Sequence, residues 1–287
     1  MTQACTDNDR SLNLSALVAG IRDLPPLPAT VARIMEATFD HDISIRNLYL
    51  LISQDQALSA KILKIVNSAM YALRCEVSTV SRAVSILGLD TVKSIIMAAS
   101  IERVFYGSTG LSAKLLSDHS WGTAIAARAI ARTVRYENLE EALICGLMHD
   151  IGKPVLMHNA RERYMEIVSD VYLGDATFYE REIASFGFSH AEVGALLARK
   201  WNFPAHLAEA IGFHHDPLSA PTYKKFASII NLANLVMIAA GIGFEKNSEI
   251  VLEKQPSAEM LQLAGPAIAT LVSESAVMFQ ATAGLRI

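Results

Sequence analysis

Histidines and carboxylates are concentrated in the second half of this chain. Seven of the eight histidines follow residue 118. The densest group is the run His149-Asp150-Ile151-Gly152-Lys153-Pro154, which follows the apolar segment 142–148. Imidazole and carboxylate are the ligand types that hold zinc, iron, nickel or manganese in proteins. A site for one of these divalent metals is therefore the first hypothesis, and a hydrogen-bonded helix end is the alternative.

The local sequence places the His-Asp pair in the last turn of a buried helix. Pro154 cannot continue that helix, and it disfavours helical dihedral angles at Lys153. The helix dipole is negative at this end, which favours a cation. Neighbouring side chains on a helix point about 100° apart. His149 and Asp150 can therefore bind one ion from two sides, or each can bind a separate ion.

The other histidines are predicted mostly at or near helix ends, where side chains from several helices can converge. His190 opens a helix after Ser189, and His214-His215 close the helix that begins near Pro204. Taken singly, His190 is equally compatible with a surface position, and the His pair with a solvated helix end. Taken together, we expect these imidazoles to share one cavity with Asp150. The predicted ligands are His119, His149, Asp150, His190, His214 and His215.

Helical patterns dominate the elements that must position these residues. Apolar residues recur at helical spacing in 56–70 and 91–104, and no convincing alternating strand pattern occurs. Asp90 is a predicted N-cap, and both Asn138 and Ser189 are followed three residues later by a glutamate, as in capping boxes. The sequence therefore predicts an all-α protein.

Two packed helical units are predicted. The first spans residues 12–106, and the second spans 111–244 and contains the histidines. The small polar segment Gly107–Gly110 joins them. A charged segment at 245–256 separates the second unit from an apolar tail, 257–287, which is expected to pack back onto the rest.

Composition narrows the functional class. The 287 residues are 52% hydrophobic and 19% charged, which excludes a disordered chain. A net charge of −4 argues against a general nucleic-acid binder, because phosphate neutralisation requires a basic face. Residues 1–10 lack the apolar segment of a secretory signal. Cys5, Cys75 and Cys145 lie far apart, which is typical of a reduced compartment. We therefore expect a cytoplasmic protein.

The segment 226–244 carries no charge over a length close to that of a membrane span. It contains Asn231 and Asn234, and two amides in mid-span are costly in lipid. A buried core helix is therefore the preferred interpretation, and no membrane partner is expected.

The order of the histidines resembles the HD superfamily of metal-dependent phosphohydrolases over roughly residues 112–240. In that superfamily a histidine, a His-Asp pair and a distant aspartate hold a divalent ion. The additional histidines are similar to those of the bimetal HD-GYP branch, which hydrolyses cyclic di-GMP. The run after His215 lacks the Gly-Tyr-Pro element of that branch, so this activity is not expected. The second unit is accordingly predicted to be an HD-like helical bundle.

A narrower resemblance is carried by four motifs in order. They are Leu24-Pro25-Pro26-Leu27-Pro28, Leu51-Ile52-Ser53-Gln54-Asp55, Asn67-Ser68-Ala69-Met70-Tyr71 and Ala83-Val84-Ser85-Ile86-Leu87-Gly88-Leu89. This succession resembles the HDOD domain, an output domain of bacterial signalling proteins, over about residues 16–215. Gln56 departs from the proline that usually follows the aspartate. The resemblance implies a regulator without proven catalysis.

Asn234 is the departure that matters most for chemistry. It stands in the apolar segment 229–235 where the superfamily has its last metal-binding aspartate. An amide offers only a neutral oxygen, so Asp150 remains the sole carboxylate of the implied ligand set. We expect Asn234 to line the cavity and to make catalysis weak or absent.

Two functions remain open from the sequence. The first is a signalling module that acts through protein partners, with a pocket that senses a nucleotide or phosphate ligand or only stabilises the fold. The second is a metal-dependent phosphohydrolase acting on a phosphate ester or cyclic nucleotide. In that case a metal-bound water would attack, and Asp150 and Lys153 would be the catalytic side chains.

Overall fold

The computed structural model of the protein describes residues 56–68, 70–106, 111–174 and 176–282. The motifs at 24–28 and 51–55 and the predicted junction Gly107–Gly110 lie outside these residues. The proposed boundaries of the two units therefore stay predictions.

Helices are the only regular elements in the described ranges, and the all-α prediction is confirmed. The α-helices are α1 Gln56–Val66, α2 Val80–Leu87, α3 Leu89–Tyr106, α4 Leu111–Thr133, α5 Leu139–Met148, α6 Gly152–Asn159, α7 Arg161–Leu173, α8 Phe178–Phe186, α9 His190–Lys200, α10 Ala205–Gly212, α11 Lys224–Ala239, α12 Pro256–Met260 and α13 Gly265–Ala281. Short 3₁₀ helices occur at Pro217–Ser219 and Leu252–Lys254.

Helices α1, α2 and α3 pack together through apolar stripes. Ile62 and Ile65 of α1 and Ile95 of α3 are completely or almost completely buried. Thr79 caps α2, because its hydroxyl accepts a hydrogen bond from the backbone N–H of Arg82. The prediction that Asp90 is an N-cap was wrong: α3 begins at Leu89, and Asp90 lies in its first turn. A single glycine, Gly88, separates α2 from α3, which leaves no room for a separate cap.

Helix α4 is the central element of the histidine-containing part. A Cβ atom on Gly146 of α5 would come within 2.8 Å of the Cα atom of Ala124 and the carbonyl oxygen of Thr123. Only glycine therefore permits this backbone-to-backbone contact between α4 and α5. The contact brings the end of α5 close to the middle of α4, where His119 lies.

Helix α11 covers the other side of α4 and is buried along most of its length. This agrees with the predicted core helix, although α11 ends at Ala239, before the end of the uncharged segment 226–244. The chain then turns through Gly241 and Gly243, which have φ angles of 71° and 113°. Among the described helices, none is long and apolar enough to cross a membrane.

The C-terminal helix α13 packs against α4. The indole Nε1–H of Trp121 donates a hydrogen bond of 3.1 Å to the hydroxyl oxygen of Thr282, which lies just after α13. Buried apolar side chains from α1 through α13 form one continuous core. The histidines therefore sit within a core to which both ends of the described chain contribute.

Candidate metal centre

The His-Asp pair forms a turn between two helices. Helix α5 ends at Met148, and the backbone N–H of Lys153 donates to the carbonyl of Asp150. The prediction that Pro154 keeps Lys153 out of a helix was wrong, because α6 begins at Gly152 and includes both residues. Proline is tolerated in a first turn, where its missing N–H has no helical partner.

Gly152 brings this turn against the beginning of α9. A Cβ atom at residue 152 would overlap the carbonyl oxygen of His190. Glycine is therefore required at this position, and it lets the backbone of α6 touch the first residue of α9. Ser189 and Glu192 form the predicted capping box that starts α9 at His190.

His214 and His215 lie in a turn after α10. The prediction that they close this helix was wrong by two residues, since α10 ends at Gly212 and Phe213 is its C-cap. The side-chain amide of Asn231 on α11 donates a hydrogen bond of 2.7 Å to the carbonyl of His214. This contact holds the turn against α11.

The rings of four histidines are oriented by their Nδ1 atoms. Nδ1 of His149 lies 2.7 Å from the carbonyl oxygen of Gly146, and Nδ1 of His214 lies 2.7 Å from that of Ile211. Nδ1 of His119 lies 3.0 Å from the carbonyl oxygen of Ile242, and Nδ1 of His190 lies 2.5 Å from a carboxylate oxygen of Glu182. For His149 and His214 these acceptors place the ring proton on Nδ1, so their Nε2 lone pairs are available to a ligand. Nε2 of His119 and of His190 also face oxygen acceptors, Oδ1 of Asn234 and Oδ1 of Asp150, so a metal ion there would replace a proton.

The Nε2 atoms converge on the carboxylate of Asp150. Its Oδ1 atom lies 3.0 Å from Nε2 of His190 and 3.8 Å from Nε2 of His214. Its Oδ2 atom lies 3.4 Å from Nε2 of His149 and 3.8 Å from Nε2 of His119. The ammonium of Lys153 donates a hydrogen bond of 2.7 Å to the same Oδ2. The structure thus brings together the side chains predicted from the sequence as ligands and catalytic groups.

Two triads with metal-ligand spacing meet at this carboxylate. The nitrogen-rich triad consists of His190, His214 and His215, and the mixed triad of His119, His149 and Asp150. Within each triad the ligand atoms lie within 4.8 Å of one another. Oδ1 of Asp150 faces the nitrogen-rich triad, and Oδ2 faces the two histidines of the mixed triad.

Burial keeps three of these imidazoles neutral at ordinary pH. It lowers the pKa of His149 to about 3, against the opposing effect of Asp150. It also lowers the pKa values of His214 and His215 well below the usual value, and neighbouring histidines add to the shift. Neutral imidazole is the form that binds metals.

His190 and Asp150 are shifted by their charged neighbours instead. Burial lowers the pKa of His190, but the carboxylates of Glu182 and Asp150 together outweigh it and raise the pKa to about 9. Burial raises the pKa of Asp150, but His149 and then Lys153 outweigh it and hold the pKa well below its usual range. Asp150 is therefore an anion that needs cationic partners.

Asn234 occupies the position where it was expected, on the wall of the cavity. Its Oδ1 atom, a hydrogen-bond acceptor, lies 2.8 Å from Nε2 of His119. This contact engages the atom of His119 that faces Asp150. The mixed triad therefore has a protein partner on one of its ligand atoms.

A pocket of about 300 Å³ leads to the mixed triad and to His215. Its polar wall includes Lys153 and the carboxylate of Glu245, which accepts a hydrogen bond from the backbone N–H of Phe178. The ammonium of Lys153 lies 4.5 Å from the centre of the Phe178 ring. The pocket is thus lined by one buried cation beside several groups of metal-ligand type.

Glu182 is the functional residue that the sequence analysis missed. It is fully buried on α8 and contacts His190 from the side opposite Asp150. A signal was present: Phe178, Glu182 and Phe186 are four residues apart and form the buried stripe of α8. A carboxylate on an apolar helical stripe requires a buried partner.

The donor set fits a divalent transition metal. Nε2 of His190 lies 3.0 Å from Nε2 of His215 and 3.4 Å from Nε2 of His214. Lone pairs this close repel one another unless a proton or a cation lies between them. Nitrogen ligands at about 2.0–2.1 Å from one ion are roughly 3 Å apart, which matches these separations. In addition, Nε2 of His149 is buried without a hydrogen-bond partner.

Comparison with known proteins agrees with this geometry. A sequence model of the HDOD domain matches residues 24–217. The chain belongs to the HDOD domain family. The predicted resemblance to this family is therefore confirmed, and the HDOD match includes His119, Asp150 and the nitrogen-rich triad.

Individual proteins are also similar to this chain over most of its length. A crystal structure of an HDOD domain protein of unknown function from Geobacter sulfurreducens is 27% identical, with a TM-score of 0.83 over 94% of this chain and 95% of that one. A protein from Shewanella amazonensis SB2B, named as a proposed phosphohydrolase, is 25% identical, with a TM-score of 0.69 over 94% of this chain and 95% of that one. An uncharacterized protein of Treponema pallidum (strain Nichols) is 29% identical over 79% of this chain. This chain spans 45% of the Treponema protein.

Proposed function

We propose that this HDOD protein is a metal-binding regulatory module of bacterial signal transduction that acts in the cytoplasm through protein partners. The observation that carries the metal site is the convergence of imidazole Nε2 atoms on one buried carboxylate, Asp150. In each oriented ring, Nδ1 lies against a carbonyl or carboxylate oxygen, as it usually does in metal-binding histidines.

The nitrogen-rich triad is the stronger of the two candidate sites. Oδ1 of Asp150 faces Nε2 of His190 at 3.0 Å and Nε2 of His214 at 3.8 Å. Oδ2, in contrast, accepts a hydrogen bond from the ammonium of Lys153. An ion in the mixed triad would have to share Oδ2 with a positive charge. We therefore assign the principal ion to His190, His214, His215 and Oδ1 of Asp150.

The same features limit catalysis. A bound divalent ion supplies an acidic water and stabilises charge on phosphoryl oxygens. Asn234 provides no negative charge beside His119, so a second ion in the mixed triad is held weakly. The pocket can then bind a nucleotide or phosphate ligand as a signal, with Lys153 as the cation that contacts its phosphate.

The alternative function is a metal-dependent phosphohydrolase acting on a phosphate ester or cyclic nucleotide. It is favoured by the pocket of about 300 Å³ that places buried Lys153 beside Asp150. It is also favoured by the name of the Shewanella relative. In this alternative, Lys153 holds the phosphate and Asp150 helps to hold the ion.

Metal titration separates these functions. The metal-stripped protein is titrated with Zn²⁺, Ni²⁺, Fe²⁺ and Mn²⁺ by calorimetry, and each loaded form is assayed on a generic phosphodiester. We expect one tightly bound equivalent and turnover far below the ordinary enzyme range of about 1 per second or more. Turnover within that range would favour the hydrolase, and failure of all four metals to bind would contradict both functions.

Asn234→Asp tests the reason given for weak catalysis. A carboxylate at residue 234 should strengthen the mixed triad, and we expect a second equivalent of Mn²⁺ or Ni²⁺ to bind measurably. Asn138→Asp is the control, because Asn138 caps the opposite end of α5 through its Oδ1 atom, a role that a carboxylate also fills. Unchanged metal binding by Asn234→Asp would show that Asn234 is not the missing ligand.

A further inference from the structure

We infer that Glu182, supported by Tyr164, is the positioning residue of the nitrogen-rich triad. It fixes the ring of His190 with its Nε2 atom toward the ion. This inference rests on the proposed metal site and adds a residue pair outside the predicted ligand set.

Glu182 is held by three hydrogen bonds in the interior. The hydroxyl of Tyr164 donates to its Oε1 atom over 2.7 Å. The backbone N–H of His190 donates to its Oε2 atom over 2.6 Å, and the ring Nδ1 lies 2.5 Å from the same oxygen. Tyr164, Glu182 and His190 are all fully buried. A buried carboxylate with two fixed donors has little freedom to move, so it constrains the third group, the imidazole.

The position of His190 in its helix explains why a separate carboxylate is needed. His149 and His214 each place Nδ1 against a carbonyl three residues earlier in the preceding helix. His190 is the first residue of α9, so no preceding helical turn offers it a carbonyl. Glu182 of α8 supplies the acceptor instead. The backbone N–H of His190 has no partner within its own helix, and the positive end of the helix dipole also favours an anion here.

The carboxylate gives His190 properties that a carbonyl would not. A negatively charged acceptor on Nδ1 increases the electron density at Nε2 and makes it a stronger ligand. When a metal is bound, the carboxylate also keeps the proton on Nδ1, so that the Nε2 lone pair faces the ion shared with Oδ1 of Asp150 and the other two histidines. Tyr164 keeps Oε1 occupied, which leaves Oε2 directed at His190.

The test compares two tyrosine–glutamate pairs in the same protein. Glu182→Gln keeps the size of the side chain but removes its charge. Tyr71 and Glu140 form the matched control, since the Tyr71 hydroxyl donates to Glu140 at 3.3 Å in a part-buried pair at the beginning of α5, the end opposite His149. Zn²⁺ affinity is measured by chelator competition, and Co²⁺ absorption reports the ligand geometry. The ¹⁵N shifts of the His190 ring, recorded above pH 9 where this imidazole is neutral, report the tautomer of the metal-free protein.

We expect Glu182→Gln to weaken Zn²⁺ binding about 10–100-fold, to alter the Co²⁺ spectrum, and to mix the two tautomers of His190. Tyr164→Phe should have the same effects to a smaller degree, and it serves if Glu182→Gln does not fold. Glu140→Gln should lower the melting temperature without changing metal affinity or tautomer.

The outcomes separate this inference from the metal site itself. If the unmodified protein binds no metal, the proposed function fails, while the ¹⁵N shifts still decide whether Glu182 fixes the ring. If the protein binds Zn²⁺ but both variants keep its affinity and the His190 tautomer, Glu182 is only a buried structural residue, and the inference is overturned.

Discussion

The two triads around Asp150 share a carboxylate but differ in what already neutralises it. On the mixed side, Oδ2 is bonded to the ammonium of Lys153, and His119 contacts the amide of Asn234. On the nitrogen-rich side, Oδ1 faces Nε2 of His190 and Nε2 of His214, and another anion, Glu182, contacts Nδ1 of His190.

This difference predicts that metal binding can be weak at the mixed triad and remain strong at the nitrogen-rich triad. The protein supplies its own cation and amide to the mixed triad, which lowers the need for a metal there. The nitrogen-rich triad has lone pairs 3.0–3.4 Å apart, and these require a proton or a metal ion between them. The two sides should therefore respond differently to substitution.

The largest effect is expected for Asp150→Asn, because Asp150 serves both triads. Removal of the ligand carboxylate should weaken metal binding by at least about 100-fold, since loss of a residue that only orients a metal ligand costs about 10–100-fold. The change also leaves the buried ammonium of Lys153 without its anion, which should cost about 3–5 kcal/mol of stability. Calorimetric titration and urea unfolding measure the two effects.

Asp118→Asn is the matched control for this substitution. Asp118 is nearly buried beside His119 on α4, but its carboxylate pairs with Lys114. It should leave metal affinity unchanged. Equal losses in the two variants would mean that the effect of Asp150 is a general effect of charge.

The second prediction tests the comparison directly with a matched pair of histidines. His149 and His214 belong to different triads, yet each has its Nδ1 atom 2.7 Å from a carbonyl three residues earlier. We expect His214→Gln to weaken Zn²⁺ binding about 10–100-fold, as loss of a ligand should cost at least as much as loss of its support. We expect His149→Gln to leave the tight equivalent almost intact. The reverse ranking would assign the principal ion to the mixed triad.

A smaller loss of affinity is expected when the contact between the two sides is widened. In Gly152→Ala the new methyl group overlaps the carbonyl of His190, so α6 and α9 must move apart. Overpacking of this kind typically costs about 1–3 kcal/mol. Metal affinity should fall less than in His214→Gln, because every ligand is still present. Thermal unfolding with and without Zn²⁺ checks both quantities, and an unchanged melting temperature would contradict the close contact.

The last prediction concerns pH and the metal-free protein. His149 has a pKa of about 3 when folded, and a histidine in an unfolded chain has a pKa of about 6.5. The contribution of neutral His149 to the free energy of unfolding is complete above pH 6.5. It is lost as the pH falls toward 3, because the unfolded state then binds a proton that the folded state does not bind. Between pH 7 and pH 5 this loss is about 2 kcal/mol. His214 and His215 act in the same direction.

His190 opposes this trend, because its pKa is raised to about 9, and its contribution is lost only as the pH rises through that value. The effect of His149 is therefore isolated as a difference between two proteins. Urea unfolding at pH 7 and pH 5 should show a smaller loss of stability in His149→Gln than in the unmodified chain. An identical loss would mean that His149 is accessible to protons in the folded protein.

The sequence was sufficient for the fold class, because helical spacing is a local pattern, and it also named the side chains that converge on Asp150. Apolar spacing predicted helices, and the order of His119, His149 and His190 indicated one shared cavity. The positions of helix ends were less predictable: Pro154 lies inside a first turn, and the His214-His215 turn follows α10. Both positions depend on where one helix ends and the next begins.

The contacts that distinguish the two triads were not predictable from spacing. The bond from Lys153 to Oδ2 and the contact from Asn234 to His119 depend on how α4, α6 and α11 pack. That packing depends on close approaches at Gly146 and Gly152, which a sequence pattern does not specify. Glu182 could have been found from its place on the apolar stripe of α8, but its partner on α9 could not.

The hydrogen bond between Trp121 and Thr282 gives the protein an internal optical probe. Trp121 lies two residues after His119 on α4, and only 1% of its surface is exposed. The chain has two tryptophans, and Trp201 is the other. In a Trp201→Phe background, the emission wavelength and quantum yield of a single indole therefore report the docking of α13 and the environment of the helix that carries His119. Displacement of α13 would expose the indole to water and shift its emission to longer wavelength, so attachment of the C-terminal helix can be followed in dilute solution without any added label.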